Sequence, residues 1–403
     1  MARVVGDAEV EARAPGLRDL ARRTLNEAYW SSERGFHAFA LLRSGGTKDD
    51  LTVWPAAGLM FGLFDQGPAE ATLRHLAADA ISTDWGARML SSGSDLYDPL
   101  QYNSGTVWPF VTGFVSLGQY RYRRPWAGFH LMDAVKQMTF DWSLGRHPEL
   151  LSGAFYSPLD ETVPHQFFAS SMLPTPLIRG LLGWEPDAPN GAATLAPQLP
   201  ADWDRLAVRS LWVGGTRVDA VIERGPGRTR VVLGSEGPPV ALTYVAALPP
   251  GGRDARVLVD GQPLRDGADS SERDRATVHV PLTLEGADRQ IDIRWSGGLE
   301  VVPPRISLEP GQTSGGMRVI DFDRADGVWR LAVEGESGRT YGVHLVGEPV
   351  RISRVAFSGT GTDRTSAAAR VVHEEGGSTE IELALPAGEP GRRSVTVYLE
   401  EAP

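Results

Sequence analysis

The sequence predicts an α+β multidomain protein: roughly six helices over residues 1–184, an antiparallel β-sandwich over 185–300 and a second β-rich domain over 301–403. Two patterns and two borders carry this. Apolar residues recur at the helical period in the first part, most clearly as Val107, Phe110, Val111, Phe114 and Leu117. Beyond Trp184 short alternating runs such as TRVDAVIERG and RQIDIRW, separated by Gly, Pro and Asp, read as strands. The proline-rich and turn-rich stretches GWEPDAPNGAATLAPQLPADWD and GGLEVVPPR mark the borders.

Taken in order, residues 17–30 read as an amphipathic helix, followed by the polar segment SSERGFHAFALLRSGGTKDD. A second helix begins near Trp54 and Pro55 and ends around Phe64; Pro68 opens a third, running to Ile81. A long loop, Ser82 to Gly105, leads to the fourth helix. RYRRP is a short turn, and Pro125 opens the fifth helix, to about Trp142. A third long loop, Ser143 to Pro164, precedes a sixth helix from His165, which Pro174 and Pro176 should kink or break. Long and short connections alternate. Antiparallel neighbours joined by short turns therefore bring the loops from Ser31, Ser82 and Ser143 to one end, the expected active face.

With 403 residues and 41% hydrophobic composition the chain can bury ample core. Its net charge of -11 argues against nucleic acid, which needs a concentrated basic face. There is no cysteine, so disulfides, thiolate catalysis and cysteine zinc sites are excluded. No cofactor is expected. The N-terminus lacks the apolar core of a signal peptide, and no apolar run reaches the roughly 18 residues of a spanning helix, so a soluble, cytoplasmic protein without a membrane partner is expected. DFDRADG (Asp321 to Gly327) has aspartates at calcium-loop spacing, but Ala325 takes the third ligand position, so it reads as a turn. SGTGTDRT, from Ser358, lacks the P-loop lysine.

Two blocks concentrate aromatic, carboxylate, amide and imidazole groups: YDPLQYNSGTVWPF, from Tyr97, and RHPELLSGAFYSPLDETVPHQFF, from Arg146. Sugar-cleaving sites need such types: carboxyl groups for proton transfer, flat rings for the sugar faces, and amides for its hydroxyls. The candidates are Asp84, Trp85, Asp98, Tyr102, Asn103, Trp108, Glu149, His165 and Gln166.

At these blocks YNSGTVWPF resembles the Asn-Gly-Thr-Val-Trp-Pro motif of the six-hairpin glycosidases, and HPELLSG resembles the Pro-Glu-Leu motif of their glycogen-debranching (amylo-α-1,6-glucosidase) branch. VPHQFFASSM is similar to the segment that follows, in which a glutamine opens a helix. The resemblance covers about residues 16 to 220. It implies an (α/α)6 toroid and inverting hydrolysis of α-linked gluco-oligosaccharides or related sugars. It implies Glu149 as general base, Trp108 as a sugar platform, and Asn103 and Gln166 as ligands; Tyr102, Asp98, His165, Asp84 and Trp85 are looser substrate-binding candidates. Ser104 intervenes between Asn103 and Gly105, a departure from the motif.

Only about half of such a toroid precedes the sandwich, and the family's general acid lies further upstream than this chain extends before Glu149. The expectation is a C-terminal fragment, or a chain completed by an N-terminal half or a second chain; a local acid among Asp98, Asp84 and Asp160 is the remaining case. Two other readings stay open: a non-catalytic carbohydrate-binding or interaction protein, and a lyase or phosphorylase on the same scaffold.

Overall fold

The structure, a computed structural model, describes residues 2–264, 269–272, 275–358 and 368–402. Most of the SGTGTDRT motif lies outside the described residues. The chain is an α+β mix that divides into two compact units. One is Met1–Gly180 with Arg305–Ile320, the other Leu181–Pro304 with Asp321–Pro403. Residues 305–320, read from sequence as part of a second β-rich domain, thus belong to the helical unit.

Among the described residues, eight α-helical segments form the first unit: α1 (Ala2–Val5), α2 (Ala8–Glu27), α3 (Ala56–Leu59), α4 (Gln66–Ala77), α5 (Pro109–Arg121), α6 (Pro125–Asp141), α7 (Phe167–Ser171) and α8 (Pro174–Pro176). α2 begins nine residues before the position expected from its apolar residues, because Asp7 caps it by accepting from the Val10 N–H at 3.0 Å and Glu9 pairs with Arg13 one turn on. Local polar chemistry sets this start. The expected second helix shrinks to the single turn α3, since Gly62 takes a left-handed φ of 65° and Gly58 lets the chain close on Phe64, whose ring lies 2.9 Å from where a Cβ would stand. α4 stops at Ala77, earlier than Ile81, and Ser82–Thr83 turns back on Gly86–Ala87 as a short hairpin.

α5 and α6 start as read, each with proline in the first turn where its missing N–H costs nothing. The sixth helix is broken as expected, into α7, α8 and a π-turn at Leu177–Leu181. Leu59, Leu73, Leu76, Val111 and Val115 are buried in one cluster with Ile81 and Met89, each contributing about 1.5–3 kcal/mol. No helix among the described residues is long and apolar enough to cross a membrane.

The three long loops do meet. Asp50 accepts from the Ser94 hydroxyl at 2.9 Å, joining the first to the second. Single β-bridges run Arg88 to Val107, Val107 to Leu151 and Leu151 to Pro158, joining the second to the third.

In the other unit strands alternate as read. A six-stranded sheet includes Arg205–Val213, Thr216–Gly225, Arg228–Glu236 and Arg289–Ser296, and a five-stranded sheet includes Trp184–Asp187, Ala192–Leu195, Val240–Ala247 and Arg275–Leu284. Along Thr216–Gly225 alternate residues Val218, Ala220 and Ile222 are buried, as the two-residue period dictates. The pairing is not purely antiparallel: Ala241–Tyr244 runs parallel to Ala192–Leu195. Two four-stranded sheets follow, one around Thr340–Gly347 and Ser378–Ala384, the other around Val328–Glu336 and Arg392–Glu401. Asp321–Ala325, from the calcium-like motif, lies in a strand.

Candidate active site

The two polar blocks are laid side by side by backbone alone. Val107 and Leu151 exchange both N–H···O=C bonds, at 2.9 and 2.8 Å, and the Gly153 N–H donates to the Pro99 carbonyl at 2.9 Å. Two glycines make this approach possible. A Cβ on Gly153 would stand 2.0 Å from the Gly105 carbonyl oxygen, and one on Gly105 would stand 2.6 Å from the Asp98 carbonyl.

From this seam the side chains rise. Trp108, extended because Pro109 follows, sits at the cap of α5 and donates its indole N–H to Thr106 Oγ1 at 2.9 Å and to the Tyr102 carbonyl at 3.1 Å. Tyr102, 43% exposed, meets the Trp108 ring edge-on at 4.7 Å between centroids. Its hydroxyl donates to Glu149 Oε1 at 2.6 Å, which holds the carboxylate in one orientation. That bond is also the main reason the Tyr102 phenol is raised above its ordinary pKa, burial and the Glu149 charge adding to it.

Glu149 is itself placed by the chain around it. Its N–H donates to the Val163 carbonyl at 2.9 Å, and the Leu150 N–H donates to Thr162 Oγ1 at 3.0 Å. Two residues earlier, buried His147 lies 3.1 Å from the Val135 carbonyl through Nε2 and 3.2 Å from Ser170 Oγ through Nδ1. A carbonyl can only accept, so Nε2 carries the proton and Nδ1 accepts from Ser170. Burial lowers the His147 pKa, in keeping with this neutral pin between α6 and α7.

The other candidates fall into two groups. Asn103, Asp98 and His165 are exposed on the same two blocks. Asp98 Oδ1 accepts from the Leu100 N–H at 3.0 Å, an Asx turn that shapes the loop carrying Tyr102. Gln166 caps α7, its side-chain oxygen accepting from the Ala169 N–H at 3.1 Å, so this group is engaged in holding the helix start.

Asp84 and Trp85, by contrast, are interior, at 2% and 0% exposure. The Trp85 indole N–H donates to the Ser152 carbonyl at 2.9 Å, supporting the third loop from behind. Asp84 is held in an ion pair with Arg318, 2.6 Å from Nη2. Burial alone raises a carboxyl pKa, but the Arg318 charge and the Gly316 N–H outweigh it, so Asp84 titrates below the ordinary range. Neither residue joins the exposed cluster, and an Asp84 held ionised by Arg318 is ill suited to donate a proton to a leaving group.

Sequence reasoning missed the groups that brace the seam. Arg88 Nε donates to the Gly153 carbonyl at 2.7 Å and Arg88 Nη1 to the Asp79 carbonyl. Tyr97 packs where a Cβ on Gly153 or Gly105 would fall. Residues 305–320 line the back of the same loops. The unusual density of glycine in YNSGTVWP and ELLSG was the available signal for the close approach; nothing local marks the brace at 305–320.

Comparison with known proteins adds to this. Residues 1–139 match the family model "Mannosylglycerate hydrolase MGH1-like glycoside hydrolase domain". A search of curated proteins finds no match. Among solved structures, the chain is similar to a GH63 mannosylglycerate hydrolase from Thermus thermophilus in complex with glucose, at 22% identity over 36% of this chain and 36% of that one, with a TM-score of 0.30. It is similar to an α-L-rhamnosidase from Dictyoglumus thermophilum at 13% identity over 73% of this chain and 30% of that one, TM-score 0.45. A sialidase matches at 15% identity over 55% of this chain and 22% of its own length, TM-score 0.47. The chain therefore spans roughly a third or less of the length of these three. The matched glycoside hydrolase domain takes in Tyr102, Asn103 and Trp108 and stops before Glu149.

Proposed function

We propose that this chain carries the base-bearing wall of an inverting glycoside hydrolase acting on α-linked gluco-oligosaccharides or a related sugar. The observation that carries the reading is the hydrogen bond from Tyr102 to Glu149, set beside Trp108 on a seam built from both blocks. Glu149 is the general base. With Oε1 held by Tyr102, Oε2 takes the proton of a water attacking the anomeric carbon from the face opposite the leaving group. Tyr102 and Trp108 supply the aromatic surface for the sugar ring, and Asn103 and His165 bind hydroxyls. Mannosylglycerate, named in the matched family model, belongs in the substrate panel beside aryl α-glucosides.

The general acid is a second carboxyl group about 6.5–9.5 Å from the base in an inverting enzyme. Asp84 is removed from that role by its ion pair with Arg318. We assign the acid to a helical partner segment, from another chain or from a longer form of this one, that completes an (α/α)6 ring. Exposed apolar side chains on the helical unit support this: Leu17 and Leu20 on α2, and Phe167 and Phe168 at 78% and 57% exposure on α7.

The test is hydrolysis by the chain together with such a helical segment. Glu149→Gln should lower kcat by about 10²–10⁴-fold, the range for a lost general base, and the released sugar should show inverted configuration by NMR. Unchanged rates in Glu149→Gln, or retained configuration, would overturn the assignment. A second reading, sugar binding without cleavage, is favoured by exposed Tyr102 set edge-on against half-buried Trp108. It predicts oligosaccharide binding that Trp108→Ala abolishes, with no turnover under any pairing.

A further inference from the structure

The helical unit is discontinuous in sequence, and the returning piece lies directly behind the candidate site. We propose that residues 305–320 are a positioning strap for the Glu149 loop, latched by Asp84 and Arg318; the inference rests on the reading of Glu149 given above.

The latch combines an ion pair with several hydrogen bonds. Asp84 Oδ2 accepts from the N–H groups of Gly315 and Gly316 at 2.9 and 3.0 Å, while Oδ1 pairs with Arg318 Nη2 at 2.6 Å. Arg318 Nε donates to the Ser82 carbonyl at 3.1 Å, and its Nη1 to the Gly316 carbonyl at 3.1 Å. The Ser314 hydroxyl oxygen accepts from both partners, from the Asp84 N–H at 3.2 Å and from Arg318 Nη2 at 2.7 Å. Arg318 is only 2% exposed. A planar guanidinium paired with a carboxylate and donating to three carbonyls, of Ser82, Gly316 and Met317, and to a hydroxyl fixes direction as well as distance.

The strap's other end grips the site loop itself. The Tyr156 N–H donates to the Gln312 carbonyl at 2.8 Å, the Gly311 N–H donates to the Tyr156 carbonyl at 2.7 Å, and Phe155 forms a bridge with Thr313. Leu308 and Ile306 then pack with Trp85, Val107, Leu151 and Tyr156. Val107 precedes Trp108, and Leu151 follows Glu149 by two residues. The apolar side of the seam that sets Glu149 against Tyr102 is thus closed by a segment that contributes no group to the sugar side. Residues 305–320 act through the backbone they hold, as positioning residues.

Variants are made in the full chain. Asp84→Asn removes the charge from the latch, Gly316→Ala sets a Cβ 2.7 Å from Asp84 Oδ1 and from Ile306 Cδ1, and Ser314→Ala removes only the shared hydroxyl. Glu309→Gln, on the exposed side of the strap, is the control. Amide hydrogen exchange needs no substrate. Asp84→Asn and Gly316→Ala should speed exchange at Val107, Leu151 and Gly153 by about tenfold or more, with Val218 and Ile222 of the β unit unchanged. Ser314→Ala should do so by about threefold.

Where turnover is measured, Asp84→Asn should lower kcat by about 10–100-fold with KM within about twofold, since misplacing a base costs rate rather than binding. If Asp84→Asn or Gly316→Ala unfolds the chain, Ser314→Ala decides alone. Exchange at Val107 and Leu151 equal to wild type in Ser314→Ala and in whichever latch variants fold overturns the strap. Absence of glycoside turnover by the chain together with its helical partner segment overturns the hydrolase reading while leaving the exchange result to judge the strap.

Discussion

The two units are stabilised on different principles. In the β unit, alternation fills the core: residues such as Val218, Ile222, Leu331 and Val397 point inward at every second position, and long ladders satisfy the backbone. In the helical unit the helices are few and several are a single turn, so the loops need their own fastening. Among the described residues, every buried polar or charged side chain except Thr216, Thr229, Asp292 and Thr379 belongs to this unit. A packed apolar layer tolerates exchange of one hydrophobe for another, whereas a buried polar group left without its partner costs about 1–3 kcal/mol. The site-bearing unit has accepted brittleness in return for loops held to fixed positions.

Point changes at comparable burial should expose this difference. Gly153→Ala should be the most damaging, because its Cβ meets a backbone carbonyl at 2.0 Å that cannot rotate away. We expect about 3 kcal/mol or more of destabilisation by denaturant titration, with turnover lost. Ile222→Ala in the β unit should cost about 2–5 kcal/mol yet leave exchange at Val107 and Leu151 untouched. If Gly153→Ala proved as mild at the site as Ile222→Ala, the contrast between the units would be void.

Acid should separate the units next. His37 and His130 are both lowered to about 4, chiefly by burial; Arg318 further lowers His130, while Asp84 opposes this. Unfolded imidazoles take up a proton near about 6.5. Between about pH 6.5 and 4 the unfolded chain therefore binds more protons, so stability of the helical unit falls as pH drops through that window and levels off below it. Asp84, with its depressed carboxyl, loses its contribution only at still lower pH. Local exchange or near-ultraviolet dichroism against pH should show the helical unit loosening by several degrees in melting temperature before the β unit responds. A coincident decline would count against the assignment.

The smallest effect is expected at the surface of the site. Tyr102→Phe removes one hydrogen bond at a half-exposed ring, so stability should change by less than about 1 kcal/mol. Turnover should fall by only about three- to tenfold, because Glu149 keeps its backbone anchors. A loss as deep as that of Glu149→Gln would mean that Tyr102 itself takes part in the chemistry.

Much of this architecture was legible in the sequence for identifiable reasons. Pro109 and Pro125 announce the starts of α5 and α6 because a first-turn proline is a local signal. The meeting of the long loops followed from their alternation with short turns, and the pairing of Tyr102 with Glu149 lies inside that meeting. The start of α2 at Ala8 was hidden, since a capping aspartate and an ion pair leave no apolar stripe to read. Asp84 and Trp85 read as surface loop residues because nothing local reports that a distant segment covers them. That segment, 305–320, is invisible for the same reason: Arg318 and Ser82 are 236 positions apart, and no periodicity spans such a gap.

The same separation sets a timetable for synthesis. Ser82 leaves the ribosome 236 residues before Arg318, a delay of roughly 12–50 seconds at about 5–20 residues per second. From the moment Glu149 is made until the end of that interval, the loops carrying Tyr102 and Glu149 exist without their brace, their apolar backs at Trp85, Val107 and Leu151 lacking Leu308. Long-range closures of this kind cost chain entropy before any contact offsets it. The candidate active site therefore cannot set before Arg318 has been made, and until then the nascent helical segment exposes apolar surface of the kind that chaperones cover.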